Sequence, residues 1–225
     1  MSTLYVIATP IGNLEDMTLR AIRILGEVDM ILCEDTRMTK RVLNKYEINT
    51  PTLSYHTHSG LAKVEKIVAY LEDGKNVALV SDAGTPGISD PGVRLVSEIR
   101  HVLPDTPIVT IPGPSAVTAA LSISGLPSSD FLFLGFLPHK KGRQTLFEEV
   151  VDSKRTVVLY ESPHRIAKTL LTLSEIAPDR KVVVGRELTK IYEEVVSGTA
   201  IEVMKYFQDN HDHVRGEFVV MVEGK

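Results

Sequence analysis

Val80-Ser81-Asp82-Ala83-Gly84-Thr85-Pro86-Gly87-Ile88-Ser89-Asp90-Pro91-Gly92 decides how this chain reads. The aliphatic run Asn76 to Val80 before it, bounded by Gly74-Lys75 and by the small-residue loop, suits a short strand buried on both faces. A loop hung on such a strand faces a ligand. Its three glycines let backbone approach a bound molecule closely, while Pro86 and Pro91 fix φ and stiffen the loop. Pro91 also stands where it can open a helix over Val93 to Arg100. The loop holds Asp82 and Asp90 but no Lys or Arg, which disfavours an anionic ligand. Neither G-x-G-x-x-G nor G-x-x-x-x-G-K-[ST] occurs, so nothing marks a dinucleotide or nucleoside triphosphate site. A neutral or cationic ligand with amino and hydroxyl groups fits better, and S-adenosylmethionine is one. An ordinary tight strand-to-helix turn is the plain alternative.

On either side of this stretch, strands and helices alternate. Leu4 to Ala8, Met30 to Cys33, Thr52 to Tyr55 and Ile108 to Ile111 read as strands, and Thr18 to Glu27, the stretch from Glu34 to Tyr46, and Ala116 to Ser124 as helices. A further helix follows His56-Thr57-His58-Ser59 and runs to about Asp73. This alternation implies a parallel, helix-covered sheet with ligands beyond the carboxyl ends of its strands. The unusual loops Pro10 to Gly12, Glu34 to Arg37, Asp82 to Asp90 and Pro112 to Ala116 all lie at those ends. From Gly125-Leu126-Pro127 the pattern changes. Strands over Phe131 to Phe136, Thr156 to Tyr160, Lys181 to Gly185, Glu193 to Ser197 and Glu217 to Val222 outnumber helices over Thr145 to Val151, from Arg165 to Ile176, and over Ala200 to Phe207. The expected fold is therefore α/β in two domains, residues 1–124 with a parallel sheet and residues 125–225 with a mixed one.

With 225 residues, 43% of them apolar, the chain has ample material for packed cores. A single cysteine, Cys33, excludes an internal disulfide and a zinc cluster and fits a reducing compartment. Leu4 to Ala8 is too short for a signal and no run approaches membrane-spanning length, so the expected location is cytoplasmic. His56 and His58 lack a third partner nearby, and no metal site is expected. A net charge of −4 argues against a surface coated with cations for nucleic acid, leaving local patches to do that work.

Six stretches together carry a resemblance that spans nearly the whole chain: Thr9 to Leu14, Cys33 to Arg37, Ser81 to Gly92, Pro112 to Ala116, Glu161-Ser162-Pro163-His164-Arg165 and Arg186-Glu187-Leu188-Thr189-Lys190. In order and content they resemble the ribosomal RNA small subunit methyltransferase I family, a branch of the tetrapyrrole methylases. The resemblance implies S-adenosylmethionine-dependent 2′-O-ribose methylation of a cytidine in the decoding region of 16S rRNA. It further implies a tetrapyrrole methylase-like fold with the cofactor between two α/β domains, usually in a homodimer, with 16S rRNA met in the small ribosomal subunit. Carried over, Pro10, Asp82, Ala83, Gly84, Thr85, Ile88, Ser115 and Ala116 match cofactor-lining positions of the first domain, and Tyr160 and Arg186 those of the second. Many members of that family continue beyond the position of Lys225 with a helical segment, so a truncated or a naturally short form is expected.

The sulfonium of the cofactor already activates the methyl, so the protein's task is in-line positioning of a ribose hydroxyl and removal of its proton. Candidate bases are Glu34, Asp35, Glu187 and Lys190, with Glu34, Asp35 and Arg37 expected to position substrate. A charged helix start with a locally paired Arg is the alternative for that group. RNA phosphates would meet Arg37, Lys40 and Arg41 on one helix, Lys140, Lys141 and Arg143 in a basic loop, and Arg165 beside His164. Lys45 and Lys168 read better as solvated faces. A tetrapyrrole substrate, or a ribosome-binding module without catalysis, are the competing functions.

Overall fold

The structure, a computed structural model, describes residues 2–56 and 61–225. His58, with the rest of residues 57–60, lies outside the described residues. Two compact units divide the chain, Met1–Ser115 and Ala116–Lys225.

The first unit runs β1 (Leu4–Ile7), α1 (Leu19–Glu27), β2 (Met30–Cys33), α2 (Thr36–Lys45), β3 (Thr52–Ser54), α3 (Leu61–Glu72), β4 (Val77–Val80), α4 (Gly92–Val102) and β5 (Ile108–Ile111). Its sheet has the order β3-β2-β4-β1-β5 with every pair parallel. Alternate side chains of each strand enter opposite layers, as the pleat requires. Ile7, Ile31, Ala78 and Val80 pack with Ala21, Leu25 and Leu43 of α1 and α2, whereas Leu4, Leu32, Val77 and Leu79 pack with Ile67, Leu71, Leu95 and Ile99 of α3 and α4. β4, buried at all four positions, is the sheet's middle strand, which explains its lack of polar alternation. The helix starts follow local capping: Thr18 accepts the Ala21 amide before α1, and Asp35 accepts the Arg37 amide before α2.

The second unit runs α5 (Ala116–Ser124), β6 (Phe131–Phe136), α6 (Arg143–Asp152), β7 (Thr156–Glu161), α7 (Ile166–Ile176), β8 (Lys181–Arg186), β9 (Glu194–Thr199), α8 (Ala200–Asp209) and β10 (Phe218–Val222). Its sheet order is β6-β7-β10-β8-β9, parallel only between β6 and β7. The expected mixed sheet is present, with β8 and β9 paired as an antiparallel hairpin. Phe147, Leu170, Leu173, Val203 and Phe207 of α6, α7 and α8 pack on Val157, Leu159, Val184 and Phe218. Thr199 and Glu202 form a capping box that opens α8.

One boundary lies elsewhere than the sequence suggests. The expected division after Ser124 falls instead between Ser115 and Ala116, because α5 lies against β8 and β10.

Candidate active site

Because the first sheet is parallel, the segments leaving β1, β2, β4 and β5 emerge at one edge. Hydrogen bonds knit them together there. The Thr9 amide donates to the Gly84 carbonyl at 2.9 Å and the Gly84 amide returns the bond to Thr9 at 3.0 Å. The Thr9 hydroxyl donates to the Ser81 carbonyl at 3.0 Å, and the Thr85 hydroxyl to the Pro114 carbonyl at 3.1 Å. Asp90 locks the loop's far end, its two oxygens accepting the Gly87 amide at 2.7 Å and the Gly92 amide at 2.6 Å. Between these ties Asp82, Ala83 and Ile88 are exposed, Pro10 is buried, and Thr85 and Ser115 are half-buried. The loop is thus a fixed rim of backbone and small side chains rather than a slack turn.

Gly84 is where this rim demands glycine. Its φ is +80°, and a Cβ there would meet Ile11 at 3.4 Å and the Pro114 carbonyl at 3.6 Å. Gly84→Ala is expected to cost about 1–2 kcal/mol for the left-handed backbone and to loosen the tie to Thr9; urea denaturation checks the first effect and amide exchange at Thr9 the second.

Carboxylates gather at the neighbouring segment. Asp82 Oδ1 accepts the Asp35 amide at 3.0 Å, joining the β2 exit to the β4 exit. Asp35 itself caps α2 and grips Arg37 through both oxygens, with NH2 2.7 Å from Oδ2, and its hydrogen bonds to Arg37 hold its carboxyl well below the ordinary range. The alternative expected for this pair, a helix cap with a local Arg, is what forms. Glu34 differs: among the described residues its half-buried carboxyl has no hydrogen bond or ion pair. Burial, followed by the charges of Asp82 and Asp90, pushes its pKa up to about 7. Lys40 and Arg41 are exposed on α2.

In the second unit the predicted residues fall in two groups. At the ends of β6 and β7, Glu161 is fully buried and accepts the Ser162 amide at 2.9 Å, the Thr169 hydroxyl at 2.6 Å and Arg165 Nε at 3.3 Å. Arg143 donates to the Thr169 hydroxyl at 2.8 Å and lies 5.0 Å over the Phe147 ring, and Arg165 donates to the Leu137 carbonyl at 2.5 Å. Burial, with Arg165 beside it, pulls the Arg143 pKa down. Both arginines therefore hold the loop 137–143 in place, while Lys140, Lys141 and His164 are exposed. Tyr160 is half-buried between Phe133 and Phe136, and burial raises its phenol pKa.

The other group lies after β8. Arg186 is buried and donates from Nε to the Arg215 carbonyl at 3.0 Å and pairs with Glu194 at 3.2 Å. Glu187, at φ 48°, accepts the Glu217 amide at 3.0 Å and Lys190 Nζ at 2.8 Å. Lys190 also reaches Glu217 at 2.8 Å; burial opposes its charge, yet the two carboxylates push its pKa up. Ala116 opens α5.

The first unit thus brings together Pro10, Glu34, Asp35, Arg37, Asp82, Ala83, Gly84, Thr85, Ile88 and Ser115 along its carboxyl edge. Sequence reasoning missed two working parts. Asp90 stood out only as a charge, although an Asx residue two positions before Gly92 and next to a proline is a local capping signal. The Glu161–Thr169–Arg143 chain carried no local signal, its members being far apart in sequence.

The chain is thus a parallel α/β unit with a small-residue rim, followed by a mixed-sheet α/β unit. Solved structures agree on the fold: the methyltransferase CobJ aligns with a TM-score of 0.72 at 18% identity, covering 100% of this chain and 95% of its own. The cobalt precorrin-4 methyltransferase CbiF gives 0.69 at 18%, covering 98% and 94%. Residues 3–203 match the family described as Tetrapyrrole (Corrin/Porphyrin) Methylases. Ribosomal RNA small subunit methyltransferase I of Bacillus subtilis (strain 168) is 47% identical over 225 residues, 100% of this chain and 76% of that protein. Its namesake from Thermotoga maritima is 44% identical over 225 residues, 100% of both. The chain belongs to the tetrapyrrole methylase family and, within it, to the ribosomal RNA small subunit methyltransferase I family. Among the described residues no helix is long and apolar enough to cross a membrane.

Proposed function

We propose that this enzyme transfers a methyl group from S-adenosylmethionine to the 2′-hydroxyl of a cytidine in the decoding region of 16S rRNA. The observation that carries the substrate is the 44–47% identity, along the whole chain, to relatives named for methylating small-subunit ribosomal RNA. A tetrapyrrole substrate has in its favour the family match over residues 3–203, the acidic net charge and the fold, the last at 18% identity. The small subunit would be met in the cytoplasm, with the enzyme as a homodimer.

The rim of the first unit fits the cofactor by its chemistry. Ile88 offers exposed apolar surface, and the acids Asp82 and Asp90 suit a cation where a phosphate would be repelled. When bound, S-adenosylmethionine supplies a methyl on a positively charged sulfur. Pro10, Ala83, Gly84, Thr85, Ile88 and Ser115 of the first unit would hold it.

Of the four candidate bases, Glu34 alone is suited to take the ribose proton. Asp35 is engaged as a helix cap and in its Arg37 pair, Glu187 is held by Lys190 and an amide, and Lys190 stays charged between two carboxylates. Glu34, without such a partner and with a pKa near neutrality, can accept a proton and return it to water. Arg37 and Asp35 would orient substrate beside it.

Labelled methyl transfer from S-adenosylmethionine to small subunits lacking the modification, followed by mapping of alkali-resistant linkages, tests the proposal. A single labelled cytidine ribose is expected. Label on a base, or none despite cofactor binding, would reject the ribose reading.

A further inference from the structure

The end of β6 carries a device that the reaction itself does not require. Pairing with β7 slips between Phe133 and Gly135, so Phe133 faces Val158 while Gly135 faces Leu159 and Phe136 faces Tyr160. One extra residue in a strand turns every later side chain to the opposite face. Without the bulge Phe136 would share the face of Leu132 and Leu134, which pack on the second unit's core. With it, Phe136 joins Phe133 and Tyr160 on the other face, its ring 5.3 Å from that of Tyr160, and is 58% exposed. An aromatic ring is thereby lifted out of the core and braced from one side.

Directly after it comes the loop 137–143. Leu137 is buried and its carbonyl is held by Arg165, Arg143 reaches the Thr169 hydroxyl, and Glu161 draws both guanidinium-bearing segments together. Gly142, at φ 84°, turns the loop into α6. What this anchored loop presents outward is His139, Lys140 and Lys141, with His164 exposed on the adjoining turn. Among the described residues neither lysine has an acidic partner, and the segment 138–143 contains no acid although the chain carries a net charge of −4.

We infer that Phe136 and the Lys140-Lys141 loop form a docking platform for single-stranded RNA, on which one unpaired base stacks on Phe136 while neighbouring phosphates meet the two lysines. The inference rests on the RNA reading proposed above and adds to it a place and a strand form. Cations alone would suit any polyanion; a fixed, exposed ring beside them matches an unpaired nucleotide, which offers a flat base and a phosphate together. Arg143 and Arg165 are positioning residues here, acting through the loop they hold.

The test compares the parent with Phe136→Ala, Phe136→Tyr and the Lys140→Ala/Lys141→Ala double variant. All three changes are at exposed side chains, and equal melting curves confirm intact folds. Binding of a short fluorescent oligoribonucleotide is measured over a salt series, and methyl transfer to unmodified small subunits is measured for kcat and KM. The double variant is expected to bind roughly tenfold more weakly at low salt, with the log–log salt slope smaller by about 1.4, two phosphates at about 0.7 each. Phe136→Ala is expected to weaken binding roughly tenfold at every salt with an unchanged slope, and Phe136→Tyr to keep parental affinity, since a ring still stacks. Both weakened variants should raise KM for the subunit more than they lower kcat. Parental affinity and slope in both would overturn the platform, whatever the parent does to subunits. A parent that fails to methylate subunits, while its variants still lose oligoribonucleotide binding, would instead overturn the substrate reading and leave the platform standing.

Discussion

Glu34→Gln is expected to lower kcat for methyl transfer by about 10²–10⁴-fold while leaving the affinity for S-adenosylmethionine nearly unchanged. The amide fills the same space but cannot accept a proton. The parent's rate should rise with pH and level off above about 7, following ionisation of Glu34, and the residual rate of the Gln variant should lose that limb. Asp35→Asn, which keeps a capping oxygen, should have a far smaller effect. Single-turnover assays between pH 5.5 and 9 distinguish these outcomes, and a Gln variant with the parental rate and pH profile would remove Glu34 from the reaction. Stability should move the other way. Folding raises the Glu34 pKa from 4.5 to about 7, so the folded state binds the proton more tightly than the unfolded chain does. The resulting contribution is fully present below pH 4.5 and is lost as pH rises through 7. At pH 8 the Gln variant, which carries no charge to desolvate, should therefore melt higher than the parent, the pattern expected when a group is kept for activity at a cost to stability.

Replacing Glu161 with Ala is expected to destabilise the second unit by about 3–5 kcal/mol, because it leaves two guanidinium groups without their shared countercharge in a largely buried setting. The side chain of Glu161 is 1% exposed and that of Arg165 17%, so water can replace little of what is lost. Glu161→Gln retains an acceptor for the Ser162 amide and should cost less, about 1–3 kcal/mol. Adding Arg165→Met to the Ala variant should cost less than the two changes apart, since the second removes the charge that the first left unpaired. Urea denaturation of the parent, of Glu161→Ala, Glu161→Gln and Arg165→Met, and of the Glu161→Ala/Arg165→Met double variant reads these values. Additive losses would show that Glu161 and Arg165 do not act as a pair.

How far sequence alone reached depended on the range of the interaction involved. The four-residue apolar strand β4, its small-residue loop and the alternation around it needed only local pattern, and so did the expectation of a parallel sheet with its ligand loops on one edge. Asp35 and Arg37 are two residues apart, and their pairing was foreseeable. By contrast, the segment Ala116 to Ser124 follows β5 as a crossover helix would, and nothing within it tells which sheet it will cover. Packing on β8 and β10, more than 50 residues onward by sequence, decides that. Arg143 and Arg165 looked like phosphate contacts because surface cations and buried ones are the same letters. Glu161, Thr169 and the Leu137 carbonyl identify them as anchors only after the chain has folded. The face of Phe136 depends on one bulge residue, which a period-two reading of Phe131 to Phe136 does not contain.

The strand order of the first sheet also sets a timetable. β1 is made first, yet its two neighbours are β4 and β5, with Leu4 paired to Val77 and Ile108. During synthesis its backbone must wait for about a hundred further residues before both edges are closed, and pairing over such separations is slow. The second unit contains a local hairpin, β8–β9, that can form as soon as it is made. Order of synthesis and ease of folding therefore run in opposite directions along this chain, and the segment that must stay unaggregated longest is the apolar Leu4–Ile7, which ends beside the proposed cofactor rim.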